Sequence, residues 1–297
     1  MNPSTGREFE WGGDRFKKTN VPQKILVVGG GPAGLEASRV TRERSHHVTL
    51  VEASDRIGGQ FRLAGMQPRR GQVLDLLDWY ERQLEQFGVE VMLNTMMEME
   101  EIQQFNADVT ILATGSFPPE TGFQKAMPHV EKLPGIEDGD FFSAEDVMAR
   151  RAKLGKRVIM LDEGGNWKGC GTTLKMAEDG HEVTVITPDP LIGKELQRTA
   201  ADYPLRQRLG KLGVRFILES AITRWTPKGA ETLSFLDGST SFVEADTLVF
   251  ATANHAEDSL AQELEGSGLK ILNIGDSAGP RQASFVISEA RRIALEL

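Results

Sequence analysis

Two passages of similar layout constrain this chain more than any other feature. The first is "KILVVGGGPAGLEASRVTRERSHHVTLVEA" (24–53) and the second is "RVIMLDEGGNWKGCGTTLKMAEDGHEVTVIT" (157–187). Each is an apolar run, a glycine turn, a segment of helical character and a second apolar run. A run that is apolar at every position fits a strand covered on both faces, as in a parallel sheet, better than a half-exposed strand. Parallel strands need a crossover between them, and the helical segments supply it. An α/β fold with duplicated architecture is therefore expected.

The rest of the chain extends both halves. A helix is expected over 72–87, strands over 89–93 and 107–116, and a proline- and glycine-rich crossover over 117–140. The second half then has a helix near 170–179, a polar helix near 194–212, and strands at 214–218 and 245–253. A last strand at 269–277 precedes a closing helix. The later strands end alike, in "ATG" (113–115) and "ATA" (251–253), so the repeat involves more than its glycines.

Composition excludes several classes of function. The 297 residues carry a formal net charge of -9, which argues against a broad nucleic-acid or anionic-membrane surface. No run approaches the roughly 18 apolar residues of a membrane span, and the start "MNPSTGREFEWGGDRFKK" has no signal-peptide core, so a cytoplasmic location is expected. Cys170 is the single cysteine, so the chain alone makes no internal disulfide, CxxC dithiol or multi-cysteine iron–sulfur cluster. The five histidines have no HExxH spacing, and no metal is expected. Redox chemistry would need a bound organic cofactor or another protein.

Gly29-Gly30-Gly31-Pro32-Ala33-Gly34 is GxGxxG placed between strand and helix. Gly29 makes the tight turn, Gly31 lets the backbone approach a pyrophosphate, and Gly34 permits close helix packing. Free amides at the helix N-terminus would stabilise the phosphate charge. Glu52, 18 residues beyond Gly34 and followed by Ala53, ends the next strand, where a carboxylate accepts from a ribose diol. This loop fits the ADP half of a dinucleotide. The fold class expected is thus two Rossmann-like dinucleotide-binding domains, the second inserted into the first.

Aligning the repeat on "GHEV" puts Gly164, Asn166 and Gly169 at the three glycine positions, with the middle one replaced. Asparagine tolerates unusual backbone angles, but its side chain takes space where phosphate would come closest. Thr187 stands at the position of the ribose-reading acid, with no adjacent arginine for a 2′-phosphate, so NAD(H) and NADP(H) stay equally open. Two readings of the second loop remain: a usable nicotinamide site, or only the shape of one. Cys170 is expected to be a packing residue.

"ASDRIGGQ" (53–60) and "NIGDSAG" (273–279), with the loops above, resemble the two-dinucleotide-binding-domain flavoproteins. The resemblance implies FAD in the first domain. It puts Gly275 and Asp276 against the ribityl and phosphate region, Gly59 and Gln60 just beyond the acidic strand end, and Ala113, Thr114 and Gly115 where the chain passes close to the flavin. A helix N-cap is the other reading of Asp276, and the two roles are compatible. Trp167 stands where related reductases often carry an aromatic ring, which implies a gate over the nicotinamide side of the flavin; domain-interface packing is the alternative. The division implied is an N-terminal arm over 1–20, an FAD-binding domain over 21–140 and 254–297, and an NAD(P)- or ADP-binding domain over 141–253.

A narrower resemblance rests on "NPSTGRE", "VVGGGPAGLEAS", "EASDRIGGQ", "LATGS", "GHEVTVITP" and "NIGDSAGPR" together. In this combination the whole chain resembles the C-terminal half of the 2,4-dienoyl-CoA reductase and trimethylamine dehydrogenase family. Such enzymes join an FMN-binding barrel and a four-cysteine iron–sulfur segment to two nucleotide domains. Barrel and cysteines are absent here. The resemblance therefore implies a subunit that docks on a partner carrying FMN and/or an iron–sulfur cluster, a free-standing reductase, or a fragment of a longer enzyme; Met1 ahead of "NPSTGRE" points to a natural start. The activity implied is electron transfer between NAD(P)H and that partner through FAD, in N-methylamine oxidation or demethylation or in enoyl reduction. A non-redox subunit binding ADP or FAD within a larger oxidoreductase is the other reading.

Overall fold

A computed structural model describes residues 2–11 and 16–297. The expected start at Met1 and residues 12–15 of the expected arm lie outside the described residues. The chain runs through α1 (Glu8–Trp11), β1 (Lys24–Val28), α2 (Pro32–Glu43), β2 (His47–Val51), α3 (Phe61–Gly65), α4 (Leu74–Phe87), β3 (Glu90–Met92), α5 (Met99–Phe105), β4 (Val109–Leu112) and β5 (Ser116–Phe117). It continues through β6 (Phe141–Ser143), α6 (Ala144–Met148), β7 (Arg157–Asp162), α7 (Trp167–Glu178), β8 (Glu182–Ile186), α8 (Asp202–Lys211), β9 (Arg215–Ile217), β10 (Ser220–Thr226), β11 (Gly229–Ser234) and β12 (Thr240–Glu244). It closes with β13 (Thr247–Ala251), β14 (His255–Ala256), α9 (Ser259–Glu263), β15 (Ile271–Asn273) and α10 (Ala283–Glu296).

Two compact units result. The first comprises Met1–Arg62, Gln72–Phe117 and His255–Leu297; the second comprises Leu63–Gly71 and Pro118–Asn254. Both are α/β, and each holds a five-stranded sheet whose strand pairs are all parallel. No helix among the described residues is long and apolar enough to cross a membrane.

In the first unit the sheet order is β15-β4-β1-β2-β3. The unbroken apolar run of β1 is explained by its central place: Ile25, Leu26 and Val27 are all 0% exposed. Residues of α2, α4 and α10 cover one face through Leu35, Leu77 and Ala290, while Ile102 of α5 belongs to the cluster that includes Leu26. Each fully buried aliphatic side chain contributes roughly 1.5–3 kcal/mol.

A polar cluster is buried within this unit. Glu36, 0% exposed, accepts from Arg39 Nε and Nη2 at 3.1 Å each, from Arg291 Nε at 2.6 Å and from Tyr80 Oη at 3.1 Å. Arg291 also donates to Ser4 Oγ at 2.5 Å, and its guanidinium lies 5.8 Å from the Trp11 ring centre and 5.4 Å from that of Phe16. The expected arm therefore packs on its own unit: Ser4 and Trp11 are buried. The contacts are made by isolated aromatic and polar residues, so no periodicity announces them.

The second unit orders its sheet β6-β13-β7-β8-β9 and adds an antiparallel meander, β10-β11-β12, that sequence periodicity did not lead us to expect. A signal was present in Asp237-Gly238, a favoured hairpin dipeptide, between β11 and β12. Residues 118–140, which the sequence reading groups with the first domain, lie in this unit because they pack on the meander. Gln124 Nε2 donates to Ile222 O at 2.7 Å and Gln124 Oε1 accepts from Ile222 N at 2.9 Å, while Leu133 and Ile136 join the cluster around Trp225. The polar helix expected over 194–212 is a 3-10 turn (Lys194–Thr199) and then α8, parted at Ala200, whose φ is +54°.

Removing Glu36 leaves two buried guanidinium groups without their shared carboxylate. Glu36→Ala is expected to destabilise the first unit by about 3–5 kcal/mol, read by urea unfolding followed through tryptophan fluorescence. A loss below about 1 kcal/mol would show that the cluster is not a stability element.

Candidate functional site

In the first unit, β1 delivers the chain into Gly29–Gly31 and α2 begins at Pro32. Proline suits that first helical position because its missing N–H has no intrahelical partner there. Gly29 has φ +108°, and a Cβ on it would lie 2.2 Å from Ala113 O. A Cβ on Gly34 would lie 1.9 Å from Gly29 O, so only glycine lets α2 come down onto the strand end. A Cβ on Gly31 would meet nothing within 4 Å, and α2 has no side-chain cap. The amides of its first turn are thus open where the backbone faces free space.

The other residues expected in this unit converge on the same loop. Glu52 Oε2 accepts from Gly30 N at 2.7 Å and its Oε1 from Ser54 N at 2.8 Å. An ionised carboxylate has about four lone-pair positions, which leaves capacity for a ligand hydroxyl. Ala53 is exposed beside it. Gly58 N donates to Gly30 O at 2.7 Å, and a Cβ on Gly59 would stand 3.5 Å from Gly31 Cα. Gln60 Nε2 donates to Ser116 O, just past Ala113, Thr114 and Gly115; Thr114 Oγ1 donates to Glu257 O at 2.6 Å.

Gly275, with φ +72°, sits where a Cβ would lie 2.7 Å from Ala33 Cβ, so the Gly-Asp turn abuts the first turn of α2. Asp276 Oδ1 accepts from Arg281 N at 3.0 Å and Oδ2 from Ser116 Oγ at 3.2 Å. It does not cap α10, whose N-cap is Gln282, so the helix-cap reading of Asp276 is corrected. A tight turn between β15 and α10 separates the aspartate from the helix start.

The second unit repeats the layout with a different loop. Val28 pairs with Leu112 and Val51 in the first sheet, and Leu161 pairs with Phe250 and Ile186 in the second. The helix N-caps are Gly31 and Asn166. By strand register Asp162, not Gly164, stands opposite Gly29, and the second loop is two residues longer. Alignment from the helix side pairs Asn166 with Gly31 and Gly169 with Gly34 but cannot see an insertion on the strand side. Thr187 falls opposite Glu52 and is buried.

Asp162 was not singled out from sequence, though an acid ending an apolar strand was a signal. Its Oδ1 accepts from Gly164 N at 3.1 Å and Gly165 N at 3.0 Å, and Cys170 Sγ lies 3.7 Å from its Oδ2. A Cβ on Gly169 would lie 2.4 Å from this carboxyl group. Burial pushes Asp162 up to about 6 from an ordinary 3.8, against the pull of the two glycine amides and the thiol, with the charge of Asp189 adding to the rise. Burial and the neighbouring Asp162 push the Cys170 thiol well up, which suits a packing residue. Asn166 Oδ1 accepts from Lys168 N at 2.8 Å. Trp167 carries the Arg70 guanidinium 4.2 Å above its ring, and Gln67 Nε2 donates to Trp167 O at 2.7 Å.

Because the folded-state value of Asp162 lies above the unfolded one, the folded chain holds the extra proton between about 3.8 and 6. Stability from this group is full below the lower value and is lost as pH rises through the upper. The protein is expected to gain about 1 kcal/mol from it between pH 7 and pH 5. Asp162→Asn keeps an acceptor for both amides and should abolish that increment, read as urea unfolding at the two pH values; an unchanged pH slope would contradict the assignment.

Comparison with known proteins agrees with this architecture. The family model described as pyridine nucleotide-disulphide oxidoreductase matches residues 12–104 and 97–276. Cinnamate reductase of Clostridium sporogenes is 33% identical over 99% of this chain and 42% of its own length. Dimethylamine dehydrogenase of Hyphomicrobium sp. (strain x) is 26% identical over 100% of this chain and 45% of its own length. The structure of histamine dehydrogenase from Rhizobium sp. 4-9 superposes with a TM-score of 0.92 at 26% identity, covering 100% of this chain and 47% of that one. The chain thus spans less than half the length of these relatives. It belongs to the pyridine nucleotide-disulphide oxidoreductase family and corresponds to the two-nucleotide-domain half of the 2,4-dienoyl-CoA reductase and trimethylamine dehydrogenase group.

Proposed function

We propose that the chain is the FAD-carrying electron-transfer component of an oxidoreductase, working between a pyridine nucleotide and a flavin or iron–sulfur centre on a partner subunit or domain. The observation that carries this reading is the open first loop: an uncapped α2, and free space where a Cβ of Gly31 would be. Backbone amides of the first turn of α2 would hold the pyrophosphate, with the helix dipole favouring its charge. Glu52 would accept from the adenosine ribose, and Gln60, Ser116 and Asp276 would orient the remainder. Bound FAD supplies hydride exchange with a nicotinamide and onward release of single electrons. The chain's own work is binding and orientation, which is consistent with the lack of a nucleophile or acid pair in this reading.

The names of the relatives suggest two substrate classes for the complete system, an alkene in cinnamate reductase and a methylated amine in dimethylamine dehydrogenase. We place this chain with one or the other through its partner, whose extra length the relatives carry. A second reading, a non-redox ADP- or FAD-binding subunit, is favoured by one observation: the loop of the second unit is filled by its own side chains.

The purified protein is expected to be yellow and to be bleached anaerobically by NADH or NADPH; a colourless protein that releases ADP on denaturation supports the second reading. Gly31→Asn should fold normally, because nothing lies within 4 Å of the added Cβ, yet weaken FAD binding at least about tenfold. Retention of FAD at wild-type affinity would contradict the role given to the loop. Trp167 is included in the proposal as a gate over the nicotinamide side of the flavin. Trp167→Ala should then alter the flavin spectrum and slow NADH oxidation, and no change in either rejects that role.

A further inference from the structure

We propose that Asp162 and Asn166 are specificity-determining residues that close the second glycine loop to a dinucleotide pyrophosphate, so that the second unit holds pyridine nucleotide only weakly. The inference rests on reading this unit as the nucleotide-binding one of the pair. The first loop serves as an internal control, since the two occupy equivalent places in equivalent sheets.

One amide that stays open at the start of α2 is spent at the start of α7, and a second loop amide is turned to a different carboxylate. The amide of Ala33, second residue of α2, has no side-chain cap, whereas its counterpart Lys168 N donates to Asn166 Oδ1. Gly30 N turns to the ribose-side carboxylate of Glu52; Gly165 N turns inward to Asp162. Gly165 is also covered, because Glu195 N donates to Gly165 O at 2.9 Å and a Cβ there would lie 3.3 Å from Lys194.

Charge acts in the same sense. Where the first loop has Gly29, the second holds a buried carboxylate that already occupies two loop amides, and a phosphate brought to that place would meet like charge. The cation at the helix start gives no compensation. Lys168 Nζ lies 2.8 Å from Glu145 Oε1 and 2.6 Å from Asn254 Oδ1, and donates to Thr252 O at 3.2 Å. On the ribose side Thr187 Oγ1 accepts from Asp189 N at 3.2 Å, and the strand end offers no carboxylate at that position.

The test is an NADH titration of the FAD-loaded chain by equilibrium dialysis, comparing wild type, Asn166→Gly and Asn166→Ala. Glycine in place of an asparagine N-cap costs only a few tenths of a kcal/mol, so the fold is retained. Asn166→Gly should bind NADH at least about tenfold more tightly than wild type, because it both frees the Lys168 amide and removes the Cβ from the place where phosphate would come closest. Asn166→Ala loses the cap but keeps a Cβ and should gain clearly less. Equal affinity of wild type and Asn166→Gly, or an equal gain in both variants, overturns the proposal. Failure of the FAD reading would appear separately, as colourless protein, and the affinity ratio between variants would still report on the second loop.

Discussion

How closely a helix comes down onto the end of its strand decides what each half of this protein can hold. In the first unit α2 rests directly on the carbonyl of Gly29, which a Cβ on Gly34 would approach to 1.9 Å. That contact points the first-turn amides outward past Gly31 and brings the turns at Gly58–Gly59 and Gly275 against the same spot. In the second unit a carboxylate is interposed: a Cβ on Gly169 would lie 2.4 Å from Asp162 Cγ. The same architecture then yields a loop that satisfies itself.

Most of the fold was legible because buried parallel strands leave continuous apolar runs, and both sheets show the layout that the repeat implied. The glycine loop of the first unit was legible for a related reason: close backbone approach admits no residue but glycine, so geometry is written directly into sequence. Other features carried weaker marks. The cluster of Glu36, Arg39 and Arg291 joins residues 255 positions apart, and nothing local announces it. The meander β10-β11-β12 lies partly exposed, so its alternation is diluted by polar residues on both faces, as at Thr240–Glu244.

Asn166 was visible as an anomaly, but its partner in closing the loop was not. Asp162 follows an apolar run, and only sheet register reveals that it occupies the place of Gly29. An alignment made on glycines alone absorbs a two-residue insertion and so misplaces the strand side of the loop. The general lesson is physical: a phosphate cradle is defined by amides left without partners, and a side chain two residues away can remove them while the glycines remain.

A single structure can test whether the two duplicated loops have diverged into an open and a closed form. A crystal structure of the chain soaked with FAD and NADH measures it directly. Full pyrophosphate density is predicted at the N-terminus of α2, along Gly29–Gly34, and clearly lower occupancy at the N-terminus of α7. Pyrophosphate density against Gly164–Gly169 at the occupancy seen at α2, with Asp162 and Asn166 still in place, would contradict it.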